Sequence, residues 1–149
     1  MNWLDEIHFD ENGLVDVAYS DSEGISDMTI YFSEMKNNEL NWRKEIVVED
    51  LEKAHSLIAE DFDMDGDMDL FVGQMHTSSA AKLMLLENKI VKEEAWERHM
   101  IGRGGIHNAV ATDIDNDGDI DIFGANWTGN PPVRVFWNQS PHLATHWEY

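Results

Sequence analysis

Two acidic segments of the same design constrain this chain more than any other feature. Residues 61–69 read DFDMDGDMD and residues 113–121 read DIDNDGDID, so each has acidic residues at positions 1, 3, 5, 7 and 9 and glycine at position 6. Hard cations such as Ca²⁺ bind roughly six to eight oxygen ligands. Gly66 and Gly118 permit the positive φ that a loop folded around an ion requires. The sequence therefore predicts two calcium-binding loops.

The EF-hand is the obvious alternative, and the spacing excludes it. An EF-hand loop ends with a bidentate Glu at position 12, where this chain has Val72 and Gly124. The loops end instead at Asp69 and Asp121, and a short apolar run typical of a strand follows each. We therefore expect each ion to lie in a hairpin loop between two strands.

The acidic loops belong to a repeat that extends over the chain. They begin 52 residues apart, and residues 8–16 form a third, altered copy with Asp10, Gly13 and Asp16 at positions 3, 6 and 9. Each period holds about four short apolar runs, which is typical of a propeller blade. A β-sandwich would also have short strands, but it gives no reason for this period. The predicted blade boundaries are residues 1–49, 50–102 and 103–149.

Composition limits the functions that need to be considered. The 149 residues suffice for one domain with a sizeable core, and the net charge of −20 argues against nucleic acid or an anionic membrane as partner. There are no cysteines, and no apolar run reaches the ~18 residues of a membrane span. The opening residues show no signal-peptide pattern. Crowded carboxylates predict that stability and metal binding are linked.

These motifs resemble a known repeat. The pattern Asp-x-Asp-x-Asp-Gly-x-x-Asp, followed by Phe-Gly or Phe-Val-Gly and preceded in the third unit by Trp-x-x-His-x-Ile, is similar to the FG-GAP/VCBS repeat. That repeat builds calcium-loop β-propellers in integrin α-chain heads and in many secreted bacterial proteins. The resemblance covers nearly the whole chain as three units, closely at residues 61–73 and 113–124 and weakly at residues 8–19.

The resemblance implies a set of calcium ligands. In the family, side chains at positions 1, 3, 5 and 9 and the backbone carbonyl at position 7 bind the ion. Carried over, they are Asp61, Asp63, Asp65, Asp69 and the carbonyl of Asp67, and then Asp113, Asp115, Asp117, Asp121 and the carbonyl of Asp119. The first loop has His8 and Asn12 where the pattern has Asp, so Asp10, Asn12 and Asp16 would form a weakened site.

The resulting expectation for the fold is all-β, a β-propeller built of three four-stranded blades. Closed propellers have roughly four to eight blades, so two chains related by a two-fold axis would complete a six-bladed ring. The sequence therefore predicts a homodimer. A segment of a longer propeller is the alternative.

Histidines and tryptophans recur with the repeat. His55 and His107 occupy the same repeat position, which favours packing or a hydrogen bond at the start of a strand over a metal or ligand site in a central channel. The repeated tryptophans are expected to pack between blades; they are Trp3, Trp42, Trp96 and Trp147.

One segment has no counterpart in the other units. It carries Trp127, Asn130, Arg134 and Trp137, and exposed aromatics beside polar groups would suit a sugar or peptide. Burial of these aromatics in the core is the alternative.

The function expected from the sequence is a non-catalytic binding or adhesion module stabilised by Ca²⁺, with a carbohydrate or protein ligand. Nothing in the sequence forms a catalytic pair, because metal binding explains the adjacent carboxylates. The alternatives are a scaffold domain of a polysaccharide-active enzyme such as a lyase, or a purely structural repeat. The resemblance implies an extracellular or cell-surface location.

Overall fold

The chain folds into β-strands. A computed structural model describes residues 7–90, 96–128 and 132–139 and the backbone of residues 147–148. This part of the chain contains no α-helix, so no helix in it is long and apolar enough to cross a membrane. Its strands are β1 (Val17–Tyr19), β2 (Ile25–Lys36), β3 (Glu39–Glu52), β4 (Ala54–Glu60), β5 (Asp69–Gln74), β6 (Lys82–Glu87), β7 (Glu97–Arg103), β8 (Asn108–Thr112), β9 (Asp121–Ala125), β10 (Val133–Asn138) and β11 (Trp147–Glu148). The prediction of an all-β protein is confirmed.

The strands form three antiparallel sheets in which neighbours along the chain are neighbours in space. Sheet 1 contains β1, β2 and β3, sheet 2 contains β4 to β7, and sheet 3 contains β8 to β11. An isolated bridge joins Ile7 to Asp16, at the place where Glu60 pairs with Asp69 in sheet 2. Each acidic loop therefore connects the first two paired segments of its sheet.

Sheet 1 differs from the others by its long hairpin. β2 and β3 pair from Ile25–Glu52 to Lys36–Glu39. The turn residues Asn37 and Asn38 have φ of 54° and 65°. Two consecutive left-handed residues are typical of a type I′ turn, whose twist matches that of a hairpin, and asparagine tolerates this conformation well.

Sheet 2 lies between the other two, and its strand β5 is buried on both faces. Every residue of β5 is buried. Leu70 and Val72 pack in a cluster shared with sheet 1, whereas Phe71 packs in a cluster shared with sheet 3. This follows from the alternation of side chains along a strand. Full burial of each such side chain contributes about 1.5–3 kcal/mol, so the two clusters hold the three sheets together.

Candidate metal centres

The three loops share one backbone conformation. Position 4 is left-handed in each loop although it is not glycine, and position 6 is a glycine with positive φ. The values are 56°, 58° and 63° at Glu11, Met64 and Asn116, and 79°, 101° and 103° at Gly13, Gly66 and Gly118. The φ values of Gly66 and Gly118 are ones that glycine adopts at low cost. The two glycines predicted to permit the loop conformation therefore do have positive φ.

The Asp at position 9 anchors each loop to its sheet. In sheet 2, one Asp69 oxygen accepts a hydrogen bond from the backbone N–H of Phe62 at 3.1 Å, and the other accepts from Asn88 N–H at 2.8 Å. Equivalent pairs hold the other loops: Asp16 accepts from Phe9 and Ser33, and Asp121 accepts from Ile114 and Asn138. The anchor connects position 2 of each loop to the third paired segment or to the residue directly after it.

The second loop brings carboxylates together. Oxygens of Asp61, Asp63 and Asp69 all lie within 4.8 Å of one another. The backbone N–H groups of Asp65 and Gly66 donate to Asp61, each at 3.1 Å. Oxygen-only donor sets favour hard cations, so this loop fits Ca²⁺.

The third loop repeats that arrangement. Oxygens of Asp113, Asp115 and Asp121 all lie within 4.8 Å of one another. Gly118 N–H donates to Asp113 at 3.1 Å. One oxygen each of Asp113 and Asp119 is buried without a hydrogen-bond partner. Buried acceptors normally have partners, and a cation would supply one, so the third loop also fits Ca²⁺.

Burial makes these loops unfavourable places for charged carboxylates. It raises the pKa of Asp69 to about 8, that of Asp63 to about 6 and that of Asp119 to about 7, with further increases from neighbouring carboxylates. Burial, then Asp117, raises the pKa of Asp115. The backbone hydrogen bonds to Asp69 lower its pKa but do not offset its burial. A bound divalent cation would relieve both causes.

The first loop is closed by its own side chains. His8 Nδ1 lies 2.7 Å from the carbonyl oxygen of Leu14, which joins the groups at positions 1 and 7. Asn12 accepts from Leu14 N–H at 2.7 Å and donates to the carbonyl of Ser33 at 2.6 Å. The position-7 carbonyl and the Asn12 amide oxygen are therefore already in contact with groups of the chain, and positions 1 and 5 lack a carboxylate, so this loop fits a metal less well than the other two.

A further acidic group lies at the edge of sheet 2. Glu87, Glu97 and His99 could together face an ion. However, Lys89 lies 3.2 Å from Glu87 and 2.5 Å from Glu97, and His99 lies 2.7 Å from Glu87. In this ion-pair network the Lys89 ammonium group already provides a positive charge beside both glutamates.

A cluster of rings lies at the start of β4 and β8. The rings of His55 and His107 stack with their centroids 4.0 Å apart. Trp127 meets His107 and His76 edge-on at 4.4 and 4.7 Å, and His76 contacts the Thr128 hydroxyl at 2.9 Å. The stacking agrees with the packing role predicted for His55 and His107. His76 was not predicted from the sequence, although its place just after β5 matches that of Thr128 after β9.

The ring cluster adjoins a cavity of about 580 Å³. Residues of β4 and β8 line it, among them His55, Ser56 and Asn108. Trp127 keeps 58% of its surface exposed, so an aromatic face is open to solvent near this cavity.

The residues predicted to form a ligand platform do not share one surface. The Arg134 guanidinium donates to the carbonyls of Arg103 and Gly105 at 2.7 and 2.5 Å and lies over the ring of Phe136. Trp137 lies on the opposite face of β10, because side chains alternate along a strand. Trp127 belongs to the ring cluster, and Asn130 lies outside the described residues.

The repeated tryptophans have different surroundings. Trp96 is buried and packs edge-on against Phe9 of the first loop, with ring centroids 5.4 Å apart. This is a contact between sheets, as predicted. Trp42 is instead 49% exposed. Trp3 and the side chain of Trp147 lie outside the described residues.

Comparison with known proteins does not place this chain in a family. No protein-family model matches it, and no curated protein matches it either. Its function is therefore argued from its own loops and sheets.

Proposed function

We propose that this protein is a non-catalytic binding module whose sheets are stabilised by two Ca²⁺ ions. The observation that carries the proposal is the crowding of desolvated carboxylates in loops 61–69 and 113–121, with buried oxygens of Asp113 and Asp119 that have no partner. The ligands would be those named from the repeat pattern. The positive charge of the ion would hold both sides of the loop together. Asp69 and Asp121 would connect each loop to its sheet through their backbone hydrogen bonds.

We further propose that the three sheets are propeller blades. Three features support this arrangement. Each sheet follows the chain order of its strands, each acidic loop lies between the first two paired segments, and sheet 2 packs on both neighbours. Blades of a propeller pack face to face in the same sequence.

The ligand is proposed to bind at the ring cluster, with Trp127 as its main contact. An exposed indole offers a large rigid face for stacking and an N–H donor. The cavity bordered by His55 and Asn108 adds polar groups beside it. Concave sites with an aromatic surface and few polar groups suit a carbohydrate or a protein surface loop.

The metal proposal predicts a loss of stability on chelation. Protein dialysed against Ca²⁺ should contain two ions per chain by elemental analysis, and EDTA should lower Tm by several degrees. At a calcium concentration of one hundred times Kd, each site contributes about 2.7 kcal/mol. An unchanged Tm in EDTA, after metal has been measured in the starting protein, would contradict the proposal.

The ligand proposal is tested by binding to a glycan array with Trp127→Ala. We expect this variant to lose binding that the wild type shows. Met100→Ala is the matched control, because Met100 is 50% exposed on sheet 2 away from the cluster. Depolymerisation of an acidic polysaccharide by the wild type would instead favour the scaffold of an enzyme.

A further inference from the structure

Sheet 3 exposes the surface that sheet 2 buries. Phe71 and Leu83 are fully buried in the cluster between sheets 2 and 3. Their counterparts in the repeat are Phe123, which is 39% exposed, and Val133, which is 43% exposed. Val110 lies directly opposite Phe123 and is 56% exposed. The outer face of sheet 3 is thus an apolar surface that in the preceding unit is covered by another sheet.

Sheet 1 exposes the complementary surface. Trp96 directly precedes Glu97, which pairs with Glu87 at the end of the β6–β7 ladder, and its ring packs on the first loop. Its counterpart Trp42 is 49% exposed and lies opposite Ser33. Met35 and Leu40 form the next apolar pair on this face and are 56% and 55% exposed. Contiguous exposed apolar surface of this kind marks an interaction site.

A hydrogen bond marks the same interface twice within the chain. Asn88 Nδ2 donates to the carbonyl of Phe9, and Asn138 Nδ2 donates to the carbonyl of Phe62, each at 2.9 Å. Each unit thereby binds position 2 of the preceding loop. In the third loop that position is Ile114, whose carbonyl receives no hydrogen bond from the described part of the chain. Sheet 3 therefore presents the carbonyl side of an interface that this chain forms twice, between sheets 1 and 2 and between sheets 2 and 3.

We propose that a second copy of this chain covers both faces, with sheet 1 of one copy packed on sheet 3 of its partner at each of two seams. The proposal rests on the blade arrangement proposed above. A head-to-tail contact closes into a ring only when the rotation per unit is suitable. Two copies supply six units, within the roughly four to eight of closed propellers.

The seams differ in one respect from the internal interfaces. In sheet 1, Ser33 is the residue equivalent to Asn88. The backbone N–H of Ser33 donates to Asp16, just as the backbone N–H of Asn88 donates to Asp69. Its side chain is too short for the amide hydrogen bond. The apolar faces therefore carry the contact, and the negative charge of both copies opposes it, so salt strengthens the pairing by screening.

The test is the mass in solution of the wild type and two variants, Trp42→Lys and Val110→Lys. We expect the wild type to have twice the mass of one chain and each variant to have the mass of one chain. Both variants reduce the net negative charge, so added repulsion cannot explain the loss. Met100→Lys is the control and should retain the wild-type mass. Circular dichroism verifies that each variant is folded.

Mixing the variants distinguishes a head-to-tail seam from a symmetric one. Trp42→Lys keeps an intact sheet 3 and Val110→Lys keeps an intact sheet 1, so together they should form a weaker one-to-one pair through a single seam. A dimer formed by one face against itself would lose pairing with only one of the variants, which would overturn the proposal.

Measuring mass and bound calcium on the same sample separates this inference from the metal proposal. A wild-type chain that binds two Ca²⁺ ions and has the mass of one chain overturns the second-copy proposal alone. Twice the mass without bound calcium supports it and overturns the metal proposal. Large assemblies of mixed size overturn ring closure.

Discussion

At position 9 of each loop, an aspartate holds the loop to its sheet. Asp16, Asp69 and Asp121 all anchor the backbone, yet only the latter two lie in a carboxylate cluster. The sequence predicted that the first loop would bind calcium weakly because His8 and Asn12 replace aspartates. It could not show that His8 contacts Leu14, or that Asn12 bonds Ser33 on β2, because those partners are fixed only by folding.

This difference between loops predicts the effect of removing one carboxylate charge. Asp61→Asn should reduce bound calcium from two ions per chain to one, because Asp61 is the ligand proposed at position 1, and it should lower Tm in calcium but much less in EDTA. Asp10→Asn is the matched control in the first loop and should leave two ions bound. Elemental analysis and melting curves measure both. Loss of an ion in Asp10→Asn would show that the first loop binds metal after all.

The sheets depend on side chains that reach from one element to the next. The order of strands and loops was predictable, because apolar runs and acidic loops alternate with a regular spacing. The burial of every β5 residue was not, since it depends on sheets packing on both sides. The ligand platform shows the same limit. Arg134 and Trp137 are close in sequence, yet strand alternation places them on opposite faces, and Arg134 instead binds carbonyls before β8.

Asn88 connects two sheets, and its replacement should clearly lower the free energy of unfolding. Its amide is fully buried and joins the end of β6 to the carbonyls of Phe9 and Met68. Asn88→Ala should lower the free energy of unfolding by about 2–3 kcal/mol, because a bond is lost and buried carbonyls remain unsatisfied. Asn41→Ala is the control, since Asn41 bonds the nearby Glu39 carbonyl, and it should change stability by less than about 0.5 kcal/mol. Equal effects in urea titrations would exclude a special role for Asn88.

The buried carboxylates should make stability fall with rising pH in EDTA and make the stabilisation by calcium grow with rising pH. In EDTA, the folded state holds protons on Asp63, Asp119 and Asp69 up to pKa values of about 6, 7 and 8, whereas the unfolded chain releases them near 3.8. Because the folded state binds more protons in this window, its stability should fall as pH rises from about 4 to about 8. Calcium replaces those protons, so the stabilisation that it provides should grow over the same range.

Melting curves in EDTA and in excess calcium, recorded at pH 5, 6, 7 and 8, measure this effect. Burial lowers the pKa of His107 below its usual 6.5, with further decreases from His55 and His76, so its titration contributes the opposite slope at pH values up to about that value. That contribution is common to both conditions and cancels in their difference. A difference in Tm that stays constant with pH would contradict the proposal that loops 61–69 and 113–121 bind calcium.

The histidine-closed first loop has a consequence for how the molecule would respond to chelation. His8 of that loop joins positions 1 and 7 without an ion. Sheets 2 and 3 carry the loops whose buried carboxylates have raised pKa values and would gain most from the proposed calcium ions. We therefore expect chelation to loosen the connections at sheets 2 and 3 more than the first loop of sheet 1.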